Sequence, residues 1–386
     1  MTFRVAHLTS AHPRNDVRIF VKQCRSLLAS GHHVSLIVAD GLGDAIHDGV
    51  EVHDVGKPGG RMGRALTATR RVLARARRLR ADIYHLHDPE LLPAGLALKR
   101  DGRKVVFDAH EDFPRQILSK PYIKPALRRA ISLAASAFET YACKRIDHVV
   151  GATPKIGQKF RDMGVPTTVI NNYPLLGELE TPVSWDNKEP VVCYVGGVSS
   201  IRGLNEVVSA LHLCSTGVRL ALAGEFGERG LRDRLVQNSG WGAVDELGQI
   251  PRSGVRDVMA RSLAGIVTFL PLPNHIDAQP NKMFEYMSAG IPVIGSNFPL
   301  WRDIIEHSDC GICVDPEDPR AIARAIDTLA ANPLLARRLG ENGRRAVHQR
   351  YNWTVEEQQL TSLYERLLRD QPTAAEASPT GRSILP

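Results

Sequence analysis

Short apolar runs alternate with amphipathic segments along the first half of the chain. The runs have the length of strands, and the segments between them repeat their apolar positions with the period of about 3.6 residues that marks a helix. The strand-like runs are FRVAHL, HVSLIV, DIYHLH, KVVFDAH and HVVGAT, and the helix-like segments are 17–30, 61–80, 90–100 and 125–145. This alternation predicts an α/β domain in which helices cover both faces of a parallel sheet.

The alternation lapses and then resumes in the second half. The stretch NNYPLLGELETPVSWDNKEP is rich in proline, acids and polar residues, which is typical of a linker. The strand-like runs after it are VVCYVGG, RLALAGEF, AVDELG, AGIVTFLP, IPVIGS and GICVDP. We therefore predict two doubly wound, Rossmann-like domains at 1–175 and 191–352, joined by a linker at 176–190. Ligands bind at the carboxyl ends of such strands, and we expect the two edges to face a cleft.

Two further segments follow the second domain. A helical pattern at 353–370 predicts a C-terminal helix, with a return to the N-terminal domain left open. The tail at 371–386 lacks an apolar period, and we predict that it is disordered.

Composition narrows the class of protein. A length of 386 residues suits two domains, and 43% apolar with 24% charged residues is typical of a soluble globular chain. The chain shows no signal-peptide pattern and no apolar run that could span a bilayer, so we expect a cytoplasmic protein. The six cysteines fit a reducing compartment. Cys310 and Cys313 form a CxxC without a second pair at metal spacing, which favours a buried strand over a redox or zinc site.

The net charge of +7 is concentrated in the first half. RMGRALTATRRVLARARRLR, at 61–80, contains eight arginines and no acid, and its apolar residues recur at helical spacing, so the arginines share one face. A second basic stretch lies at 118–130. Two interpretations stay open: a solvated helix face, or attraction to an anionic membrane surface or a phosphorylated acceptor. Nucleic acid is not expected as a partner, because no nucleic-acid module accompanies the charge.

The segment 276–297, IDAQPNKMFEYMSAGIPVIGSN, predicts an anion site at the start of a short helix. Pro280 suits a first helical turn because it has no N–H to leave unpaired. The free amides of Asn281, Lys282 and Met283 and the helix dipole can then hold a phosphate, and Lys282 adds a full charge.

Two carboxylates flank this point. Asp277 precedes it and Glu285 lies one turn inside the helix. Each can accept hydrogen bonds from hydroxyls on one side of the phosphate, which is the pattern of a diphosphate between a sugar and a ribose. The plain alternative is a loose cap at Asp277 and a surface charge at Glu285.

The chain resembles the family 4 retaining glycosyltransferases of GT-B fold. The segments that carry the resemblance, in the family's order, are HPRNDVRIFVKQCRSLLASGHHV, HLHDPELLP, VVFDAHEDFP, YVGGVSSIRGLNEVVSAL and PNKMFEYMSAGIPVI. The last contains part of the family's carboxylate-x7-carboxylate signature. The resemblance implies that Glu285 holds the nucleotide ribose and that Asp277 contacts the donor sugar. It also implies that LGQIP receives the base through the backbone of Gly248 and Ile250.

The chain departs from the family pattern at two places. The first carboxylate is usually Glu, and here it is the shorter Asp277. Where the family often has an Arg and then a Lys, VGGVSSIRG has Gly197 and Arg202. Arg202 is then the expected cation beside the diphosphate, because a guanidinium can bind two phosphate oxygens at once. The alternative is an ordinary surface charge at a helix start.

Histidines follow two of the predicted strands. His110 stands at the end of KVVFDAH, and the resemblance implies contact with the donor sugar near the reacting carbon; a buried structural histidine is the alternative. His85 and His87 alternate along another strand, from which we expect opposite faces and no joint metal site.

The acceptor side is assigned to the first strand-to-helix turn, TSAHPRNDVRIF, which lacks a glycine-rich phosphate loop. Its candidates are His12, Asn15, Asp16 and Arg18, with Glu111 from the turn after KVVFDAH. Asp16 is at least as well explained as the cap of the following helix.

These residues together predict transfer of a sugar from a nucleotide-diphosphate donor to the hydroxyl of a glycan or lipid-linked glycan. The expected catalytic residues are His110, Arg202, Lys282 and Asp277, of which Arg202 and Lys282 stabilise the charge on the departing diphosphate. The resemblance implies retention by same-face displacement, and we expect no metal and no cofactor besides the co-substrate. An epimerase on the same scaffold and a catalytically silent membrane- or partner-binding subunit stay open. An oxidoreductase is disfavoured because no GxGxxG opens a helix.

Overall fold

A computed structural model describes residues 2–63, 67–118, 124–180 and 185–369. The chain forms two compact α/β units, Asn172–Val355 and Met1–Asn171 together with the chain from Glu356 onward. The tail that the sequence predicts to be disordered, 371–386, lies outside the described residues.

The first unit contains a sheet in which every pairing but one is parallel. Its order is β3-β4-β2-β1-β5-β6-β7-β8, and only β3 runs antiparallel to its neighbour β4. The strands are β1 Arg4–Leu8, β2 His33–Val38, β3 Ala45–His47, β4 Val50–Asp54, β5 Ile83–Leu86, β6 Lys104–Ala109, β7 His148–Gly151 and β8 Thr167–Val169. The central strands are buried along most of their length because helices cover both faces.

Helical segments connect these strands. After β1 the chain forms a π-helical segment, Val17–Cys24, that continues into α1 Arg25–Ala29. The other helices are α2 Gly60–Gly63, α3 Thr69–Leu79, a 3₁₀ turn Pro89–Leu91, α4 Leu92–Arg100, α5 Phe113–Leu118, α6 Pro125–Cys143 and α7 Pro154–Asp162. The arginine-rich pattern at 61–80 thus spans α2 and α3, with 64–66 outside the described residues.

The second unit is built on a fully parallel sheet of order β11-β10-β9-β12-β13-β14. Its strands are β9 Val191–Val195, β10 Arg219–Ala223, β11 Val244–Gly248, β12 Ala264–Val267, β13 Val293–Ser296 and β14 Gly311–Val314. Its helices are α8 Leu204–Leu213, α9 Leu231–Val236, α10 Arg252–Arg261, α11 Pro273–Ile276, α12 Asn281–Ala289, α13 Pro299–His307, α14 Pro319–Ala331 and α15 Pro333–Gln349, with 3₁₀ turns at Trp185–Asn187, Ser200–Arg202 and Trp241–Ala243. One apolar cluster packs on each face of this sheet.

The segment expected to be a linker, 176–190, packs on the second unit where it is described. Leu179 is fully buried in the apolar cluster of that unit, and Glu178 forms an ion pair with Arg252, with 2.7 Å between Oε1 and Nε. The ammonium of Lys188 donates to the carbonyl of Ala260 at 2.6 Å. This segment has no apolar period, yet a few anchoring side chains hold it on the second unit. The boundary between the two units falls at residue 171.

The last helix, α16 Trp353–Arg369, belongs to the first unit from Glu356 onward. The buried Glu356 carboxylate accepts from the backbone N–H of Asn171 at 2.8 Å and from its side-chain amide at 3.0 Å. Further along the helix, the Tyr364 hydroxyl lies 2.5 Å from Nδ1 of His85. These contacts tie α16 to the first unit at Glu356, near its start, and at Tyr364, in its second half.

The cysteines and the helices add two further observations. Cys310 lies just before β14 and Cys313 within it, and burial raises the pKa of the Cys310 thiol to about 12 and that of Cys313 to about 11. Both sites therefore disfavour the reactive thiolate form, which agrees with a structural role.

Of the helices in the described part of the chain, none is both long and apolar enough to cross a bilayer.

We predict that replacing Glu356 by Ala lowers the free energy of unfolding by about 1–3 kcal/mol, because two buried N–H groups of Asn171 lose their acceptor. Urea unfolding followed by circular dichroism measures the change. Gln359→Ala, on the exposed face of the same helix, is the matched control and should shift stability by less than about 0.5 kcal/mol. Equal effects of the two substitutions would contradict this account of the anchor.

Candidate functional site

The carboxyl end of β9 opens into a turn that needs glycine. Gly203 follows the Ser200–Arg202 turn with a φ of 72°, and a Cβ on it would lie 2.0 Å from the carbonyl oxygen of Thr268. Gly224, at the end of β10, would place a Cβ 2.1 Å from the carbonyl oxygen of Gly196. Backbones therefore approach each other closely at this edge of the sheet, and polar backbone atoms line it.

Arg202 folds back onto this turn. Its Nη1 donates to the carbonyl of Gly197 at 2.6 Å, and its guanidinium carbon lies 5.6 Å from the centre of the Phe269 ring. A Cβ on Gly197 would lie 2.9 Å from the same Nη1. The absence of a side chain at 197 thus leaves the space that the Arg202 guanidinium occupies.

Lys282 reaches the same turn from α12. Its Nζ lies 3.6 Å from the centre of the Tyr194 ring and has no hydrogen-bond partner among the residues that the structure describes, although the side chain is buried. Burial lowers the pKa of Lys282 well below its usual value, and the positive charge of Arg202 lowers it further, against the smaller opposing effect of Glu285. The structure therefore holds an unpaired, buried amine at the end of β9.

The N-terminus of α12 corrects part of the sequence-based expectation. Pro280 is the cap residue rather than the first helical residue, and the amide of Met283 already donates to its carbonyl at 3.0 Å. The Met283 side chain lies wholly in the apolar core, so Met283 is not placed to bind a ligand. In the described part of the chain, the amides of Asn281 and Lys282 have no acceptor. The anion site thus has two free amides instead of three.

The two carboxylates lie on either side of this helix start. Asp277 is half-buried at the end of α11. Glu285 lies within α12, with its carboxylate 2.8 Å from Nη2 of Arg252. Burial opposes the charge of Arg252, but the bonds to Glu178 and Glu285 outweigh it and raise the Arg252 pKa. Arg252 therefore fixes the position of Glu285, a role that the sequence analysis missed because α10 gives no signal of it.

The two residues expected to meet a base are close to this edge. Gly248 ends β11 with a φ of 64°, and its carbonyl accepts from the amide of Gly224 at 2.8 Å. Ile250 is half-buried against the apolar core. The structure thus brings Gly248 next to Gly224, at the edge where the turns after β9 and β10 approach each other.

A second polar cluster lies at the carboxyl edge of the first unit's sheet and centres on Asp108. Arg18 donates two hydrogen bonds to the Asp108 carboxylate, at 2.9 and 2.8 Å, and Gln23 donates a third at 2.7 Å. Burial disfavours the Asp108 carboxylate, but the charge of Arg18 and the neighbouring histidines hold its pKa well below the usual range. Arg18 is buried in this pair and also donates to the carbonyl of Ile170, so its assignment to the acceptor side is wrong.

Three histidines form a hydrogen-bonded chain beside Asp108. His7 Nδ1 lies 2.8 Å from His87 Nε2, and His87 Nδ1 lies 3.3 Å from His110 Nε2. The planes of the His7 and His87 rings differ by 13°, and the ring centres are 5.1 Å apart. The two nitrogens that face each other are Nδ1 of His7 and Nε2 of His87. His87 Nδ1 and His110 Nε2 each lie 3.5 Å from the same carboxylate oxygen of Asp108.

The expectation that His85 and His87 lie on opposite faces is wrong. Their ring centres are 4.7 Å apart, because residues two positions apart in a strand point to the same face. His7, His85 and His87, and likewise His87, Asp108 and His110, are close enough to surround a cation. The facing nitrogens of His7 and His87 are nevertheless already hydrogen-bonded to each other. The geometry thus favours a hydrogen-bonded chain, and metal-independence stays a prediction.

His110 is the member of this chain that reaches the surface, with one fifth of its side chain exposed. Its Nε2 faces the Asp108 carboxylate at 3.5 Å and His87 Nδ1 at 3.3 Å, so Nε2 is the ring nitrogen that points into the cluster. The first-unit cluster therefore orients the His110 ring.

The remaining acceptor-side candidates divide into two groups. His12 lies next to His110, with ring centres 5.1 Å apart, and its Nδ1 is 3.3 Å from the Asp16 carboxylate. Burial lowers the pKa of His12, but Asp16 and Asp88 raise it by more. Asp16 also caps the helical segment by accepting from two backbone amides, Arg18 and Ile19, each at 2.9 Å. Asn15 is exposed, and the exposed Glu111 accepts from the side chain of Gln116.

Two domain families match the chain, one in each unit. The family described as "Glycosyl transferase 4-like domain" matches residues 17–172, and the family described as "Glycosyl transferases group 1" matches residues 178–346. Together the two matches cover most of the described chain.

Curated relatives are more distant. The chain is 27% identical over 241 residues to the lipopolysaccharide core biosynthesis glycosyltransferase LpsE of Rhizobium meliloti (strain 1021), which covers 59% of this chain and 66% of that protein. It is 29% identical over 171 residues to the phosphatidyl-myo-inositol mannosyltransferase of Mycobacterium leprae, which covers 42% of this chain and 43% of that protein. The chain therefore spans less than two thirds of the length of each of these relatives.

Solved structures match over nearly the whole chain. Sucrose-phosphate synthase from Thermosynechococcus elongatus has a TM-score of 0.78 at 20% identity, covering 96% of this chain and all of that one. Anabaena Alr3699/HepE, solved in complex with UDP-glucose, has a TM-score of 0.71 at 17% identity, covering 94% of this chain and all of that one. These likenesses confirm the predicted GT-B fold of two Rossmann-like units.

We predict that acid destabilises the protein through the buried histidines. Burial lowers the pKa of His85 from 6.5 to about 4 and those of His7 and His87 well below 6.5. Between these values the unfolded chain binds protons that the folded chain does not, so stability falls as pH falls, by about 1.4 kcal/mol per pH unit for each such histidine. Urea unfolding at about pH 7.5, 6.5 and 5.5 measures this slope. A free energy of unfolding that is constant over this range would contradict the buried neutral state.

Proposed function

Because the chain belongs to the group 1 glycosyltransferases, of the family 4 type, we propose that it transfers a sugar from a nucleotide-diphosphate sugar to a hydroxyl of a glycan or lipid-linked glycan. The observation that carries the proposal is the unpaired, buried Lys282 amine at the start of α12, next to Arg202. An anion bound next to this buried amine favours its charged form and supplies the hydrogen-bond acceptor that it lacks among the described residues. The relatives named for lipopolysaccharide core and phosphatidyl-myo-inositol chemistry support the acceptor class.

The diphosphate is proposed to lie at the N-terminus of α12. The free amides of Asn281 and Lys282 donate to phosphate oxygens, and the helix dipole adds a favourable field. The guanidinium of Arg202 exchanges the neutral carbonyl of Gly197 for a phosphate, which is a stronger, charge-assisted acceptor. As the sugar leaves, negative charge grows on the diphosphate, and these fixed donors stabilise it most in the transition state.

The carboxylates are proposed to orient the two ends of the donor. Glu285, which Arg252 holds at 2.8 Å, accepts from the ribose hydroxyls, and Asp277 accepts from hydroxyls of the transferred sugar. For His110 the proposed role is to accept a hydrogen bond from a sugar hydroxyl at Nδ1, since Asp108 occupies the Nε2 side.

We propose that transfer retains the anomeric configuration without an enzymic nucleophile. The bond between the anomeric carbon and the phosphate oxygen breaks with its electron pair on that oxygen. The acceptor oxygen attacks the same face of the sugar and gives its proton to the departing phosphate oxygen. The products are the glycosylated acceptor and a nucleoside diphosphate, and the reaction as proposed consumes no other reagent.

We predict that one of UDP, GDP, ADP or TDP, at a concentration about 100-fold above its dissociation constant, stabilises the protein by about 2.7 kcal/mol, which raises its melting temperature by several degrees. Glu285→Ala and Lys282→Met should each weaken the affinity for that nucleotide about tenfold or more. Thermal-shift titration measures both effects.

The matched control is Glu306→Ala, which removes an exposed carboxylate from α13, away from the turn after β9. It should keep the full thermal shift. No shift with any of the four nucleotides, or a shift that Glu285→Ala leaves unchanged, would overturn the proposed donor site.

We further propose a cytoplasmic location at the inner face of the membrane, with the arginines of α3 as an electrostatic contact. Arg75 pairs with Asp44 at 2.5 Å and Arg77 with Asp101 at 2.7 Å, so these two charges are partly neutralised. The exposed Arg70, Arg78 and Arg80 have no ion-pair partner within the described ranges. An anionic lipid surface attracts such charges by about 1 kcal/mol each.

We predict that the Arg70→Glu/Arg78→Glu variant binds phosphatidylglycerol-containing vesicles about tenfold or more weakly than the native protein at low salt. Co-sedimentation measures the bound fraction. The control variant, Arg320→Glu/Arg345→Glu, changes the net charge equally on exposed positions of the second unit and should bind more tightly than the α3 variant. Equal loss in the two variants would assign the attraction to net charge alone, and no binding even at low salt would overturn the proposed contact.

A further inference from the structure

Helix α6, Pro125–Cys143, presents an apolar stripe to solvent. Leu127, Ile131, Phe138 and Tyr141 expose 53%, 38%, 40% and 51% of their surface, respectively. Their spacing of four, seven and three residues places them within about a quarter of the helix circumference, and the exposed Ala134 fills the gap. Single exposed apolar residues are ordinary, but four large ones in one line indicate an interaction surface.

Positive charge lies at both ends of this stripe. Lys124 immediately precedes α6, and Lys144 and Arg145 follow its last turn. The guanidinium carbon of Arg145 lies 3.7 Å from the centre of the Tyr141 ring, so this cation borders the apolar surface directly.

The acidic residue of α6 does not neutralise the positive charges at the ends of the stripe. Glu139 is the one acidic residue in the sequence of α6, and it is buried against Lys159, 2.5 Å from Nζ. The exposed part of α6 is therefore apolar along its middle and cationic at its ends.

The stripe lies in the same helical layer as the arginines of α3. The α3, α4 and α6 helices each cross from one strand to a later one in the same direction along the sheet, which puts them on one face. Within that layer, α4 packs against both α3 and α6. The charged and the apolar surfaces thus belong to one side of the first unit.

We propose that α6 inserts its apolar stripe into the interfacial region of an anionic bilayer, while the cations at its ends meet lipid phosphates. This proposal rests on the membrane contact put forward above and names the element that enters the lipid. A helix with one apolar face and a cationic border lies in the plane of such an interface. A second copy of the chain fits the stripe less well, because both ends of α6 are cationic and either a parallel or an antiparallel pairing would oppose like charges.

The stripe can be tested against a matched position on the same helix. Leu133 is 72% exposed but lies on another side of α6. We compare the native protein, Leu127→Ser/Phe138→Ser and Leu133→Ser for co-sedimentation with phosphatidylglycerol-containing vesicles at low and at high salt. High salt screens the arginine contact and isolates the apolar contribution.

The expected result is that the native protein and Leu133→Ser keep measurable binding at high salt, whereas Leu127→Ser/Phe138→Ser binds about tenfold or more weakly. As a second measurement, vesicles with brominated acyl chains should quench the added fluorescence of the Phe138→Trp variant and not that of the Leu133→Trp variant. Equal vesicle binding by the three proteins would overturn the proposal.

Two other outcomes distinguish the proposed bilayer contact from dimerisation and from the proposed donor site. A native dimer that Leu127→Ser/Phe138→Ser dissociates would assign the stripe to a second copy and overturn the bilayer proposal. The thermal shift with nucleotide should be the same in all three proteins, because the stripe takes no part in the donor site. Vesicle binding through α6 without any nucleotide shift would overturn the proposed donor site and leave this inference standing.

Discussion

The carboxylate of Asp108 is the interaction on which the first unit's functional edge depends. It sits in a wholly buried position and is held by two hydrogen bonds from Arg18 and one from Gln23. Removing one partner of such a buried pair costs about 3–5 kcal/mol, because the other charge is left without compensation. The same carboxylate faces three histidines that end neighbouring strands, so a single anion joins the helical segment after β1 to β5 and β6. The orientation of His110 is a consequence of this arrangement.

The buried ionisable group at the functional edge of the second unit is arranged differently. There the buried group is the amine of Lys282, whose charged form burial disfavours, and within the described residues no carboxylate is hydrogen-bonded to it. Its neighbours are aromatic rings, two amides at the start of α12 and a cation, Arg202. In the first unit the buried carboxylate of Asp108 is paired with Arg18, whereas in the second unit Lys282 and Arg202 lie at a site where an anion can bind.

Local sequence patterns predicted the fold, because the alternation of strands and helices gives two parallel-sheet units. Gly197 and Arg202 lie in one strand-to-helix connection, and Lys282 reaches it from the second residue of α12. The sequence thus indicated which residues to compare, and their roles stay predictions. Contacts between distant segments could not be predicted in this way. Arg252 reaches Glu285 from another helix, and Arg18 reaches Asp108 across 90 residues. His85 and His87 were expected on opposite faces, but residues two positions apart in a strand share a face. The amide of Met283 was expected to be free, but it donates to the carbonyl of the cap residue Pro280.

The contact between Gly197 and Arg202 has a consequence for how the site can change. A side chain at 197 would begin 2.9 Å from the Arg202 guanidinium, so the two positions compete for one volume beside the turn after β9. Nη1 is the far end of a flexible side chain, so a residue at 197 is accommodated when the Arg202 guanidinium turns away from the Gly197 carbonyl. The effect of a substitution at 197 therefore depends on which residue stands at 202, because the two positions share this space.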